Sequence, residues 1–266
     1  QFLDRIHTTE DAVDSVRWAR EAGFARSSLD LIYGLPDQTL DAWSSNLDQA
    51  LALDPGHLSL YALTIEEGTR LAYDIDHGRI PEPDADLQAD MYELTCQRLA
   101  GAGYEQYEIS NWSRTGQQCW HNLVYWRNTE WLGFGPGAHS HWGGHRFANV
   151  YSPRRYIDLM SRAEVPMSIP ASSLDVLESM PHLTLVESQS DDLQLADTAI
   201  LALRLNEGLD LTAFEQRFGH SFEGVYGEPY RDMIAAGLLE RSNGNVRLTD
   251  HGRFLANEVF VRLLPD

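Results

Sequence analysis

Two short apolar runs constrain the fold most. Residues 29–33 (Leu-Asp-Leu-Ile-Tyr) and 58–64 (Leu-Ser-Leu-Tyr-Ala-Leu-Thr) flank a single helical stretch. That stretch follows Thr39, carries Leu40, Trp43, Leu47 and Leu51 on one face, and stops at Asp54-Pro55-Gly56. Strand-length runs joined by one amphipathic helix form a β-α-β unit, whose crossover makes the strands parallel. The fold class is therefore α/β, barrel or doubly wound. An earlier helix is expected after Thr8 or Thr9, with Ala12, Val13, Val16 and Ala19 at helical spacing and Gly23 at its end. Residues 84–102 carry Leu87, Met91, Leu94 and Leu99 on one stripe and read as a third helix. The intervening 66–84 reads as a turn rich in proline and aspartate, 104–109 as a further strand, and 131–139 as a last strand or extended loop.

From about residue 151 the pattern changes. A helical stretch over 151–160, then Val165-Pro166 and Ile169-Pro170, make 151–189 a linker. Residues 191–205 read as a helix. Thr212-x-x-Glu215 reads as a capping box opening a second helix that Gly219 ends, and 226–236 as a third helix. Asn243-Gly244 marks the turn of a hairpin over 238–248, and a closing helix runs from Thr249 to Leu264. Three helices, a two-stranded wing and a last helix describe a winged-helix-like α+β domain over 190–266. The α/β part is placed at 1–150.

Charge narrows the partners. Forty acidic residues face twenty basic ones, a net charge of -20, and every base is arginine. A general nucleic-acid or anionic-membrane surface does not fit that balance, and without lysine there is no Schiff-base chemistry. Two cysteines, Cys96 and Cys119, make no disulfide framework. No apolar run reaches membrane-spanning length. These features point to a cytoplasmic protein. The sequence opens at Gln1 in mid-pattern, so an N-terminally truncated chain is expected.

Residues 119–144 concentrate the chemistry: His121, His139 and His141, with His145 just beyond, stand among four tryptophans and a run of glycines. Imidazoles ligate metals or move protons near neutral pH, indoles offer stacking faces, and glycines admit close backbone approach. His121 with Tyr125 and Trp126 nearby fits an axial ligand to heme iron with aromatic flanks, and Arg127 a partner for a propionate. A histidine satisfied in a polar loop is the plainer alternative. His139, His141 and His145 lack companions at zinc-site spacing. Gly133, Gly135 and Gly137 do not make a dinucleotide fingerprint, because Pro136 intervenes and no helix follows. Asp30 is a lone acid in an apolar strand, costly to bury unpaired, and in parallel barrels ligand groups gather at the carboxyl ends of strands.

Four blocks carry a resemblance: D-L-I-Y-G-L-P-D-Q-T (30–39), L-S-L-Y-A-L-T-I-E-E-G-T (58–69), H-N-L-V-Y-W-R-N (121–128) and L-G-F-G-P-G-A-H-S (132–140). They are similar to the coproporphyrinogen-oxidase-like branch of the radical SAM superfamily, and H-N-x-x-Y-W resembles the mark of its heme-chaperone (HemW) subgroup. The resemblance implies a partial parallel (β/α) barrel holding S-adenosylmethionine and a [4Fe–4S] cluster at the strand carboxyl ends. By the same resemblance Arg5 and Asp30 meet S-adenosylmethionine, and Thr64 and His139 meet its adenosyl group mainly through backbone. His121 is the heme-iron ligand, with Tyr125 and Trp126 beside the porphyrin. The implied partners are heme and acceptor hemoproteins such as respiratory enzymes. The family's C-x-x-x-C-x-x-C is absent, so the chain is expected to be the C-terminal half of the barrel followed by the family's last domain. A half-barrel leaves an open strand edge and hence a tendency to homo-oligomerise. The enzyme alternative is oxygen-independent coproporphyrinogen III oxidation, and a third reading is a winged-helix binding module.

Overall fold

Thr8 opens the first helix with a reciprocal capping box. Its hydroxyl oxygen accepts from the Asp11 amide, and the Asp11 carboxylate accepts from the Thr8 N–H at 2.8 Å. The computed structural model describes residues 7–162 and 174–265, in two units, 1–119 and 120–266. The first unit runs α1 (Thr9–Glu21), β1 (Ser28–Tyr33), α2 (Leu40–Ala52), β2 (His57–Ala62), α3 (Arg70–Asp76), α4 (Ala85–Gly101), β3 (Glu105–Glu108) and β4 (Asn111–Ser113). Strands β1 and β2 pair in parallel from Ser28↔His57 to Tyr33↔Ala62, the register a β-α-β crossover gives. The 104–109 strand becomes one arm of an antiparallel hairpin. Its other arm, β4, pairs antiparallel with β2, so the sheet order is β1-β2-β4-β3 with β1 at one margin. The stretch expected as a turn over 66–84 contains α3. Thr69 caps it, but at seven residues it is too short for its periodicity to show.

Core packing follows the helical stripes. Trp43, Leu47, Leu58, Leu60, Met91 and Leu99 are buried between the helices and the sheet. The Trp43 indole N–H donates to Thr95 Oγ1 at 2.9 Å and to the Met91 carbonyl, so the largest core side chain also has its polar atom satisfied.

The same unit buries one histidine that the strand pattern passed over. His57 opens β2 at 6% exposure, with Ser28 Oγ 2.8 Å from Nδ1 and the Tyr107 hydroxyl 2.7 Å from Nε2. Burial holds its pKa below 6.5, and Arg26 acts in the same direction against the opposing pull of Asp30. A folded pKa below the unfolded one means that the unfolded chain binds the extra proton. The stability this histidine contributes is present above pH 6.5 and is lost as pH falls through its folded pKa. We expect the urea midpoint of the first unit to fall between pH 7.5 and pH 5, and the fall to shrink in His57→Gln.

The second unit begins with α5 (Trp120–Trp126), followed by β5 (His139–Trp142), β6 (His145–Asn149), α6 (Pro153–Arg162), α7 (Leu174–Ser179) and β7 (Leu183–Ser188). β5, β6 and β7 form an antiparallel sheet in that order, so the stretch read as linker supplies one of its strands. Then come α8 (Asp191–Leu203), β8 (Leu209–Asp210), α9 (Leu211–Phe218), α10 (Phe222–Ala235), β9 (Leu239–Ser242), β10 (Asn245–Leu248), α11 (Asp250–Phe254) and α12 (Ala256–Val261). The three-stranded sheet β8-β10-β9 with α8, α9 and α10 has the order of a winged helix, and Asn243 and Gly244 both take the positive φ of a tight hairpin turn.

Three local expectations need correction. Asp210 rather than Thr212 caps α9, because its carboxylate accepts from the Thr212 and Ala213 amides at 2.8 and 2.9 Å and starts the helix two residues earlier. α10 starts at Phe222 under a Ser221 cap; the kink at Gly227, with Pro229 after it, had hidden that first turn. The closing helix is two, broken at Leu255 (φ -111°).

Candidate functional site

The H-N-L-V-Y-W-R-N block folds as α5 and its exit, and its residues separate into an exposed group and an anchored one. His121 and Tyr125 are one helical turn apart and share a face. The Tyr125 ring meets the His121 ring edge-on, with centroids 4.8 Å apart at 88°, and meets Trp131 at 4.8 Å and 67°. Contact with the aromatic ring restricts the imidazole rotamer while leaving His121 exposed. Trp120 beside it is 77% exposed.

The anchored group fixes the far end. The Trp126 ring is half-buried with the Arg204 guanidinium 4.7 Å from its centroid, so Arg204 occupies one face of a ring expected beside the porphyrin. Arg127, expected as a propionate partner, pairs with Glu207 at 3.0 Å. Asn128 ends the helix at φ 46° and 4% exposure, and its side-chain amide donates to Thr198 Oγ1 at 2.9 Å. Arg217 Nη1 donates to the Asn128 carbonyl at 3.3 Å. These anchors, on α8, on α9 and on the stretch between them, escaped the sequence reading. The only local hint is an asparagine at the helix end, the residue type that best tolerates positive φ after glycine.

After α5 comes no regular strand over 131–139. Trp131 makes a two-bond bridge to His141, a tight glycine turn follows, and β5 starts at His139. Gly133 is needed there, because a Cβ would lie 2.0 Å from the His139 carbonyl oxygen. Gly133 N–H donates to Ser140 Oγ at 3.0 Å, the Asn149 amide donates to the Gly135 carbonyl at 2.9 Å, and Gly135 N–H donates to the Tyr156 hydroxyl at 3.3 Å. The turn thus holds Phe134, 86% exposed, on a braced backbone.

His139 is exposed. His141 is buried, its Nδ1 lies 3.3 Å from the Thr129 carbonyl, and burial lowers its pKa, all features of a structural histidine. His145 Nδ1 lies 3.0 Å from Ser188 Oγ. Among the described residues no three His, Cys, Asp or Glu side chains gather as a metal site.

In the first unit, Asp30 is exposed. It lies on the exposed side of β1, the first strand of the described sheet. Thr64 is exposed, two residues beyond β2. Gln88 on α4 donates to the Leu63 carbonyl at 3.1 Å and lies against Gly34, linking the carboxyl ends of both parallel strands. Arg5 lies outside the described residues.

A parallel β-α-β unit and a winged helix, with an H-N-x-x-Y-W helix between them in sequence, agree with the fold that the four sequence blocks imply. Comparison with known proteins agrees. Residues 190–255 match the model of the HemN C-terminal domain. The heme chaperone HemW of Bacillus subtilis is 34% identical over 264 residues, covering 99% of this chain and 65% of that protein. HemW of Mycobacterium tuberculosis is 35% identical over 262 residues, covering 98% and 61%. A mouse protein, the mitochondrial radical S-adenosyl methionine domain-containing protein 1, is 42% identical over 277 residues, covering 100% and 59%. Among solved structures, coproporphyrinogen III oxidase (HemN) from Escherichia coli, described as a radical SAM enzyme, matches with a TM-score of 0.73 at 21% identity, over 98% of this chain and 60% of that one. The chain is similar to the HemN/HemW proteins of the radical SAM superfamily, and it shares 34–35% identity with the two heme chaperones named above. It spans about three fifths to two thirds of the length of these relatives.

Proposed function

We propose that this chain binds heme as cargo and passes it to acceptor hemoproteins, such as respiratory enzymes, with His121 as the axial ligand to the iron. The observation that carries the reading is the exposed His121 imidazole, set edge-on against Tyr125 on a helix whose other end is anchored. A neutral imidazole is a common heme ligand, and a surface ligand with an aromatic neighbour can both take up and release a planar cargo. Tyr125 and the exposed Trp120 offer apolar contact beside the iron. Trp126 contributes from beneath by supporting the helix. The HemW relatives are named heme chaperones, which supports the same reading.

S-adenosylmethionine would meet Asp30, Thr64 and His139, and Arg5 by family resemblance. A [4Fe–4S] cluster does not fit the residues present. The family set needs three closely spaced cysteines, whereas this chain has Cys96 and Cys119, 23 positions apart in sequence. No radical step follows from these residues, and coproporphyrinogen oxidation by them is not proposed. DNA binding fits poorly as well, since α10 bears Glu223, Glu228 and Asp232 against the single Arg231. No helix among the described residues is long and apolar enough to cross a membrane, and we place the work of the chain in the cytoplasm.

The test of the handover is difference spectroscopy after mixing hemin-loaded chain with an apo-hemoprotein of distinct spectrum. The reading requires the acceptor's holo spectrum to appear at the expense of the loaded chain's. Loaded chain that keeps its heme against excess acceptor contradicts the chaperone role.

A further inference from the structure

We propose that Asn128 and Thr198 are positioning residues for the heme ligand, so that the winged-helix part of the second unit sets the aim of His121. This rests on the heme reading above and extends it to residues that never touch the cargo.

α5 has only seven residues, too few to hold its shape unaided in water. Its direction must come from what grips it. The exposed end carrying His121 offers little grip, since Trp120 and His121 are both exposed. The other end is held from three directions. Asn128 N–H donates to the Tyr125 carbonyl at 2.9 Å and closes the last turn. Its side-chain amide, inside the protein at 4% exposure, donates to the Thr198 hydroxyl on α8 at 2.9 Å. Its carbonyl accepts from Arg217 on α9 at 3.3 Å. Thr198 is itself buried at 8% exposure, so water cannot replace the lost partner freely.

The geometry amplifies small errors. His121 sits seven positions before Asn128, about two helical turns, or roughly 10 Å, from the pivot. A tilt of the helix at Asn128 therefore displaces the imidazole by ångströms. Metal ligands tolerate little of that, and outer supporting residues are commonly worth 10–100-fold in metal affinity.

The experiment is a hemin titration of the full chain, followed by Soret absorbance and by electron paramagnetic resonance of the ferric complex, with thermal unfolding measured alongside. Thr198→Val keeps the shape and removes the hydroxyl. Asn128→Gly keeps the positive φ and removes the amide. Thr198→Ser retains the hydroxyl. We expect the first two to weaken heme binding by about tenfold and to reduce the histidine-ligated signal, with Thr198→Ser retaining both. A fall in melting temperature with unchanged affinity and signal per folded molecule overturns the proposal, as does equal loss in all three variants. If the parent chain takes up no heme, the heme reading itself fails. If the parent binds and His121→Ala does not, while the Val and Gly variants bind as the parent does, only the positioning role fails.

Discussion

His121→Ala is expected to weaken hemin binding by at least about 100-fold, because loss of a direct ligand should exceed the 10–100-fold that outer supporting residues are worth. The histidine-ligated absorbance should disappear with it. The folded structure should hardly change. His121 is exposed, its ring makes one edge contact with Tyr125, and surface changes of this kind usually stay within about 0.5 kcal/mol. That combination separates a ligand from a structural histidine. His141 is the contrast within the same unit: it is buried and lies close to the Thr129 carbonyl, so His141→Ala should lower stability and leave the iron spectrum intact. Circular dichroism melts and hemin titrations of both variants check this pair of outcomes.

The largest expected stability effect lies in the first unit. Trp43→Ala should cost about 3–5 kcal/mol, the range for removing a large buried aromatic. Trp43 is fully buried, stacks obliquely on Tyr33 with centroids 5.3 Å apart, and donates to Thr95 on α4 from its place on α2. Alanine leaves a cavity and strands the Thr95 hydroxyl away from one of its partners. Much of that cost would come from the cavity, so Trp43→Phe should recover a large part of it. Urea titration of the full chain, read by the fluorescence of the remaining tryptophans, measures both. If Trp43→Ala shifts the midpoint no more than a surface substitution, the α2–α4 interface does not organise this unit as described.

How far the fold was legible depended on element length. The β1-α2-β2 crossover was visible because Trp43 and Leu47 repeat at helical spacing between two apolar runs, and both strands appear where the runs stand. The Asn243-Gly244 turn was visible because two consecutive positive φ angles demand that chemistry. Features decided by partners far away in the chain were not visible. β7 becomes a strand by pairing with β6, and its own residues alternate only weakly. The exposure of Asp30 was not visible either, because nothing in its own pentapeptide says which side of β1 faces outward.

The candidate site divides the same way. His121 and Tyr125 were legible because a short motif places both on one helical face. The supports of that face were not, since Thr198, Arg204 and Glu207 lie some seventy to eighty residues further on and carry no local signature. Trp126 illustrates the gap: Arg204 lies over one face of its ring, and nothing in the motif announces that partner. His57 was passed over for a related reason. Its partners Ser28 and Tyr107 stand on different strands, and only the folded sheet brings them together.

The central claim, that this chain carries heme on His121, meets its most direct test in one titration. Hemin is added to the full chain and to His121→Ala, with absorbance and electron paramagnetic resonance recorded at each step. The account predicts saturation at one heme per chain with a histidine-ligated ferric spectrum, and loss of both in the variant. Absence of saturable binding, or the same spectrum and affinity in His121→Ala, would contradict it.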